Sequence, residues 1–122
     1  MKKILVVDDS AKIRKLISAT LLGVGIYEII EADTGEMAIE AANTNKPDLI
    51  LMDVMLPGKI DGIEATRIIK SDPDTSEIRI IMLSAKGQEL DIKIGKKAGA
   101  EAYMVKPFRP MALLEKIQEL IG

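Results

Sequence analysis

Asp48-Leu49-Ile50-Leu51-Met52-Asp53 is a run of four apolar residues closed at each end by a carboxylate. A run this short cannot be a helix of its own and reads as a strand buried on both faces. A carboxylate placed where such a strand ends stands at the rim of a sheet, where open α/β folds put their ligand crevices. Ile4-Leu5-Val6-Val7 runs into Asp8-Asp9 in the same way, and two further strand-like runs end in Ser84 and Lys106. Acid, acid, hydroxyl and ammonium thus stand at four strand ends.

Working outward, strand candidates recur at 3–8, 26–31, 48–53, 78–84 and 101–105. Between them lie segments of helical period. In 11–22, Ile13, Leu16, Ile17 and Leu21 form an apolar stripe with Lys12, Arg14 and Lys15 mainly off it; Ser10 is placed to cap its start and Gly23 to follow its end. Met37, Ala38, Ala41 and Ala42 give 35–44 a small-residue face, and Ile63, Ile68 and Ile69 mark 62–71. A further helix is expected over 87–97. The last, 110–121, opens on Pro110 and carries Leu113, Leu114, Ile117, Leu120 and Ile121. Alternating strands and helices imply a parallel sheet covered on both faces. The strands at 4–7, 49–52 and 80–83 are apolar throughout and suit its interior, whereas Glu28 and Glu31 put 26–31 at an edge. After Asp53, Pro57-Gly58 forces a turn and Asp61 can cap the next helix, with Gly58 and Gly62 letting backbone pass close to an occupant of the crevice.

The totals narrow the chemistry. A chain of 122 residues, 48% apolar and 30% charged, supports one domain, residues 1–122, with a real core. A net charge of −2 and a pI near 5.2 argue for neither nucleic acid nor an anionic membrane as partner. Cysteine and histidine are both absent, which removes thiolate chemistry, imidazole metal sites, Ser-His triads and any phosphohistidine of the chain's own. The apolar run after Met1-Lys2-Lys3 stops after four residues at Asp8-Asp9, too soon for a signal peptide or a span, so a cytoplasmic location is expected.

Asp8 and Asp9 alone could be a helix cap and dipole partner. If the strands at 4–7 and 49–52 are neighbours, Asp53 joins them, and like charges at about 4 Å repel by roughly 1–4 kcal/mol per pair. A cation relieves that cost. Oxygen-only ligation favours a hard ion, Mg²⁺ first, which keeps waters and shares its shell with phosphoryl oxygens. Ser84 could donate to one such oxygen and Lys106 pair with another, while a carboxylate can itself accept the phosphoryl group. Taken singly, Ser84 reads as a strand-end hydroxyl and Lys106 as a solvated lysine; the joint pattern points to the site.

Asp8-Asp9-Ser10, Asp53 with Pro57-Gly58 and Asp61-Gly62, Ser84-Ala85 and Lys106-Pro107-Phe108, in that order along the whole chain, resemble the receiver domains of two-component response regulators. The resemblance implies a flavodoxin-like α/β fold, five parallel strands in order 2-1-3-4-5 with five helices, and a site at the topological switch point. It implies Asp53 as phosphoacceptor, Asp9 and Asp53 as direct Mg²⁺ ligands, Asp8 acting largely through water, and the main-chain carbonyl of Met55 completing the protein ligands. Ser84 would move toward the phosphoryl group, Lys106 would pair with it, and Tyr103 would rotate inward as the switch aromatic. A cis Lys106-Pro107 bond is implied as well. The loop Gly58-Lys59-Ile60-Asp61 is one residue longer than the commonest family spacing. The implied partners are a sensor histidine kinase or histidine phosphotransfer protein, which must supply the phosphohistidine, and a downstream output protein; small phosphodonors such as acetyl phosphate also fit. The implied state is a monomer or a weak, phosphorylation-dependent dimer.

Ile92 and Ile94 lie two apart and cannot both face the sheet, so one is expected to be exposed beside Lys93, Lys96 and Lys97. The segment 87–97, the strand 101–105 and the last helix are the face that relatives use for outputs. The competing reading is a small Mg²⁺-dependent aspartyl-phosphate phosphatase. Its common haloacid-dehalogenase form needs a second acid two residues after the nucleophile, where this chain has Met55. A nucleotide-binding module is weaker, because the Gly-x-Gly at 23–25 follows a helix rather than a strand.

Overall fold

A computed structural model describes residues 1–122. Five strands, β1 (Lys2–Val7), β2 (Tyr27–Ala32), β3 (Leu49–Asp53), β4 (Arg79–Ser84) and β5 (Ala102–Val105), alternate with helices α1 (Ala11–Leu22), α2 (Gly35–Asn45), α3 (Gly62–Ser71), α4 (Glu89–Lys97) and α5 (Pro110–Ile121). The sheet is wholly parallel in the order β2-β1-β3-β4-β5. The run 49–52 is the middle strand, with every residue buried, and β2 is an edge.

Period-two alternation splits the apolar strands between two cores. Leu5, Val7, Ile50, Met52, Ile80 and Met82 face α2 and α3, where Ala38, Ala42 and Ala65 allow close approach. Ile4, Val6, Leu49, Leu51, Ile81 and Leu83 face α1 and α5, meeting Ile17, Leu21, Leu113 and Ile117. Caps agree with the sequence at three starts: Ser10 and Asp61 accept backbone N–H groups of their helices, and Pro110 opens α5. Helix α4 begins two residues later than expected, at Glu89, where the Asp91 carboxylate accepts the Gln88 N–H.

Several helix faces are turned from expectation. Leu16 is 69% exposed, because Ile17, Leu21 and Ser18 define the buried arc of α1 and Leu16 lies about 140° from its centre at 100° per residue. Met37 and Ile68 likewise fall outside the arcs set by Ala38 and Ala42 and by Ala65 and Ile69. Gly23 ends α1 with ordinary right-handed backbone, and the left-handed residue is Gly25. Of the paired isoleucines on α4, Ile94 is the exposed one.

At the amino-terminal rim of β4 and β5, the Lys70 ammonium donates to the carbonyls of Ser76 and Ile78 and to Glu101 Oε2, at 3.2, 2.6 and 2.7 Å. Glu101 Oε1 accepts the Ile80 N–H at 2.8 Å. One lysine and one glutamate therefore tie α3, β4 and the approach to β5 together. No helix is long and apolar enough to cross a membrane.

Candidate functional site

The carboxyl ends of β1, β3, β4 and β5 meet at the switch point between β1 and β3, from which the chain winds to opposite edges. There the structure gathers Asp8, Asp9, Asp53 and Lys106, with Ser84 at the adjoining end of β4. Asp53 and Asp8 are buried, and Asp9 is exposed at the mouth. Carboxylate oxygens of the three aspartates lie within 4.8 Å of one another. The Lys106 Nζ sits 2.8 Å from Asp8 Oδ2 and 3.6 Å from Asp53 Oδ2, so it bridges two of the acids. The Lys106-Pro107 bond is cis.

Asp8 is satisfied on every side. Its N–H donates to the Ala32 carbonyl, its Oδ1 accepts the Ser10 N–H at 2.9 Å, and its Oδ2 takes the lysine. Its carbonyl accepts a 2.6 Å bond from Arg14 Nη1. Asp53 is less engaged: its Oδ1 accepts the Met55 N–H at 3.4 Å, a long bond. Ser84 is fully buried, and its Oγ accepts the Lys86 N–H at 3.1 Å, leaving the hydroxyl proton to donate elsewhere. The Lys86 carbonyl accepts the Tyr103 hydroxyl at 2.7 Å. One residue of the β4–α4 loop thus touches both Ser84 and Tyr103.

Burial strips water from the Asp53 carboxylate and raises its pKa above the ordinary 3.8; Lys106 opposes the shift, Asp8 adds to it, the Met55 N–H opposes it and Asp9 adds to it. The folded chain therefore keeps a proton on Asp53 at pH values where the unfolded chain has lost it. Asp53's contribution to stability falls as pH rises from near 3.8 through the folded-state value. Asp53→Asn removes this contribution. Without divalent cation, the variant is expected to be more stable than wild type above that window, with the gap closing below it. Denaturant melts from acid to neutral pH check the sign.

The donor set suits a hard ion. Three carboxylates with no nitrogen or sulfur donor are the ligands that Mg²⁺ takes, and Asp9 and Asp53 would be the ones to hold it. Asp8, with both oxygens already engaged, is the least free of the three.

Sequence reasoning missed Arg14. Its position falls inside the buried arc of α1, and its side chain runs back under the β1–α1 turn, with Nε donating to Glu31 Oε1 at 3.0 Å. One signal was available: a cation near the start of a helix that has no acid in its first turn, opposite to what the helix dipole favours. Gly62 also differs from expectation. It packs against the Asp53 carbonyl itself rather than against an occupant of the crevice.

The profile of the response regulator receiver domain family matches residues 4–118, and the chain belongs to that family. It is similar to the phosphate regulon transcriptional regulatory protein PhoB of Pseudomonas aeruginosa, with 46% identity over 121 residues, covering 98% of this chain and 52% of that protein. The alkaline phosphatase synthesis transcriptional regulatory protein PhoP of Bacillus subtilis is 42% identical over 120 residues, covering 98% of this chain and 48% of that protein. The chain spans about half the length of these curated relatives. Among solved structures, the chemotaxis protein CheY4 of Vibrio cholerae superposes with a TM-score of 0.90 at 34% identity over 98% of each chain. The receiver domain of the sensor histidine kinase PA1611 of Pseudomonas aeruginosa does so with 0.90 at 33% identity over 99% of this chain and 98% of its own; its structure has a magnesium ion coordinated in the active-site cleft.

Proposed function

We propose that this chain is the phosphoacceptor of a two-component phosphorelay, taking a phosphoryl group onto Asp53 and using it to bias the face formed by α4, β5 and α5. The observation that carries this reading is the convergence of Asp8, Asp9, Asp53 and Lys106 at one sheet rim, with Ser84 beside them. Asp53 is buried yet its oxygens are free to act as nucleophile, since only one long hydrogen bond holds them besides the ammonium. These 122 residues contain no histidine, so the donor is a phosphohistidine lying outside them, on a kinase or phosphotransfer protein, or a small acyl phosphate.

In the transfer, an Asp53 carboxylate oxygen forms the new O–P bond as the donor's P–N or P–O bond breaks, and the leaving group departs with the bonding pair. Asp9, Asp53 and the Met55 carbonyl would hold Mg²⁺, with Asp8 acting through water; bound there, the ion neutralises charge on the transferring group. Lys106 gives up its contact with Asp53 and pairs with a phosphoryl oxygen. Ser84 directs its unshared hydroxyl proton at another, which draws on the Lys86 residue that Tyr103 also grips.

Helix α4 is suited to respond. Gly95 is its one buried residue, resting on Met82 and the ring of Tyr103, where an added Cβ would come within 2.8 Å of either. An element held by so little buried surface has low local stability. A coupling of about 1–3 kcal/mol is enough to shift its population. Beryllofluoride, a phosphoryl mimic, is expected to perturb amide NMR shifts in α4, β5 and α5 more than in α2; equal perturbation of both surfaces contradicts the switch. The reading as a whole is tested by phosphorylation chemistry. Stoichiometric, acid-stable and alkali-labile label supports it, whereas steady turnover of an external phosphoester favours the phosphatase.

A further inference from the structure

Arg14 lies outside the set of groups that would meet the phosphoryl group, yet it is bound into the turn that carries two of them. Its side chain is only 17% exposed, and its guanidinium makes two bonds to separate strands' ends. Nη1 donates to the carbonyl of Asp8 at 2.6 Å, and Nε to Glu31 Oε1, near the end of β2, at 3.0 Å. The Asp8 carbonyl belongs to the peptide unit joining Asp8 to Asp9, so Arg14 holds the plane from which Asp9 departs. Asp9 has no hydrogen-bonded restraint on its own carboxylate and stands exposed at the mouth of the site. Glu31, on the edge strand, is the far anchor that keeps the planar fork from rotating off the carbonyl.

We propose that Arg14 is a positioning residue for divalent-cation binding: anchored by Glu31, it fixes the Asp8–Asp9 peptide and so presents Asp9 to the metal. This rests on the reading of the acidic cluster as the Mg²⁺ site. The sign of the effect separates positioning from simple charge. Arg14 is a cation near a cation site, so if it acted only through its field, removing it would tighten Mg²⁺ binding. If it acts by positioning, removing it weakens binding. Outer-shell partners of metal ligands typically change affinity by about 10–100-fold when lost.

The experiment is calorimetric titration of the full chain with Mg²⁺ for wild type, Arg14→Met, Arg14→Lys, Glu31→Ala, the Arg14→Met/Glu31→Ala double variant and Asp9→Asn. Methionine keeps the stem packed and removes the donors; lysine keeps one donor. Arg14→Met is expected to weaken binding about tenfold, Glu31→Ala about threefold, and Arg14→Lys to fall between wild type and Arg14→Met. The double variant should be no weaker than Arg14→Met, because Glu31 acts through the arginine. Unchanged or tighter binding by Arg14→Met, or additive losses in the double variant, overturns the inference. If wild type binds no Mg²⁺, or Asp9→Asn binds as tightly, the acidic cluster is not the metal site and the underlying reading fails instead. Thermal melts of the same variants keep a loss of fold from passing as a loss of affinity.

Discussion

Incubated with acetyl phosphate and Mg²⁺, the wild-type chain is expected to gain the mass of one phosphoryl group and Asp53→Asn to gain none. Uptake should fall by at least roughly a thousandfold, the scale on which removing a nucleophile acts. The amide has nearly the carboxylate's shape but no charged oxygen to attack phosphorus. Misfolding does not offer an alternative account, because burial already disfavours the charged form of Asp53 and the neutral side chain relieves that cost. Asp8 and Asp9 are poorer candidates for the acceptor: the first is bonded on both oxygens, and the second is solvent-exposed at the mouth of the site rather than buried at the end of β3. Intact-protein mass spectrometry decides the matter. Equal mass gain by the variant would place the acceptor elsewhere and end the present assignment.

The second large effect concerns Gly62. An added Cβ would fall far inside contact distance of the Asp53 carbonyl oxygen and 2.8 Å from both the carbonyl carbon and Val54 Cα. These are backbone atoms of the central strand, which no rotamer change can move aside. Gly62 N–H also donates to the Val54 carbonyl at 2.9 Å, so the loop cannot swing out without losing that bond. Gly62→Ala is expected to destabilise the chain by about 3 kcal/mol or more, in the range reserved for severe overpacking. Gly58→Ala offers a contrast. Gly58 has φ of +90° but finds only the Glu36 carboxylate, at 3.5 Å, so its cost is backbone strain of about 1 kcal/mol. Urea denaturation of the pair checks the order, and a Gly62→Ala melt within about 1 kcal/mol of wild type would refute the packing account.

The parallel sheet and the identity of the clustered residues were legible because strong local signals agreed with one another, while the strand order came from the family resemblance. Strand-like runs ended in Asp8, Asp53, Ser84 and Lys106, and a parallel sheet has few ways to bring such ends together. What was not legible depends on rotation about helix axes and on backbone-to-backbone distances. Leu16 reads as core by hydrophobicity, and Arg14 reads as surface by charge; the docking angle of α1 reverses both. Gly62 reads as a turn residue, and its role appears only once α3 is laid against the end of β3. Gly35 likewise reads as a helix-start glycine, and its packing role appears only in three dimensions: it lets the backbone of Ile60 come close to the start of α2, with Ile60 Cγ2 only 2.7 Å from where a Cβ would stand.

The Lys70 and Glu101 bonds at the opposite rim bear on how a charge change at Asp53 can be felt. With β4 and the approach to β5 stitched there through several hydrogen bonds, and the ladder carried on to the other rim, where the Lys106 N–H donates to the Ser84 carbonyl at 2.8 Å, the two strands are tied at both ends. Movement beside Ser84 is therefore left to what lies beyond the ladder: the loop that carries Lys86 and the side chain of Lys106.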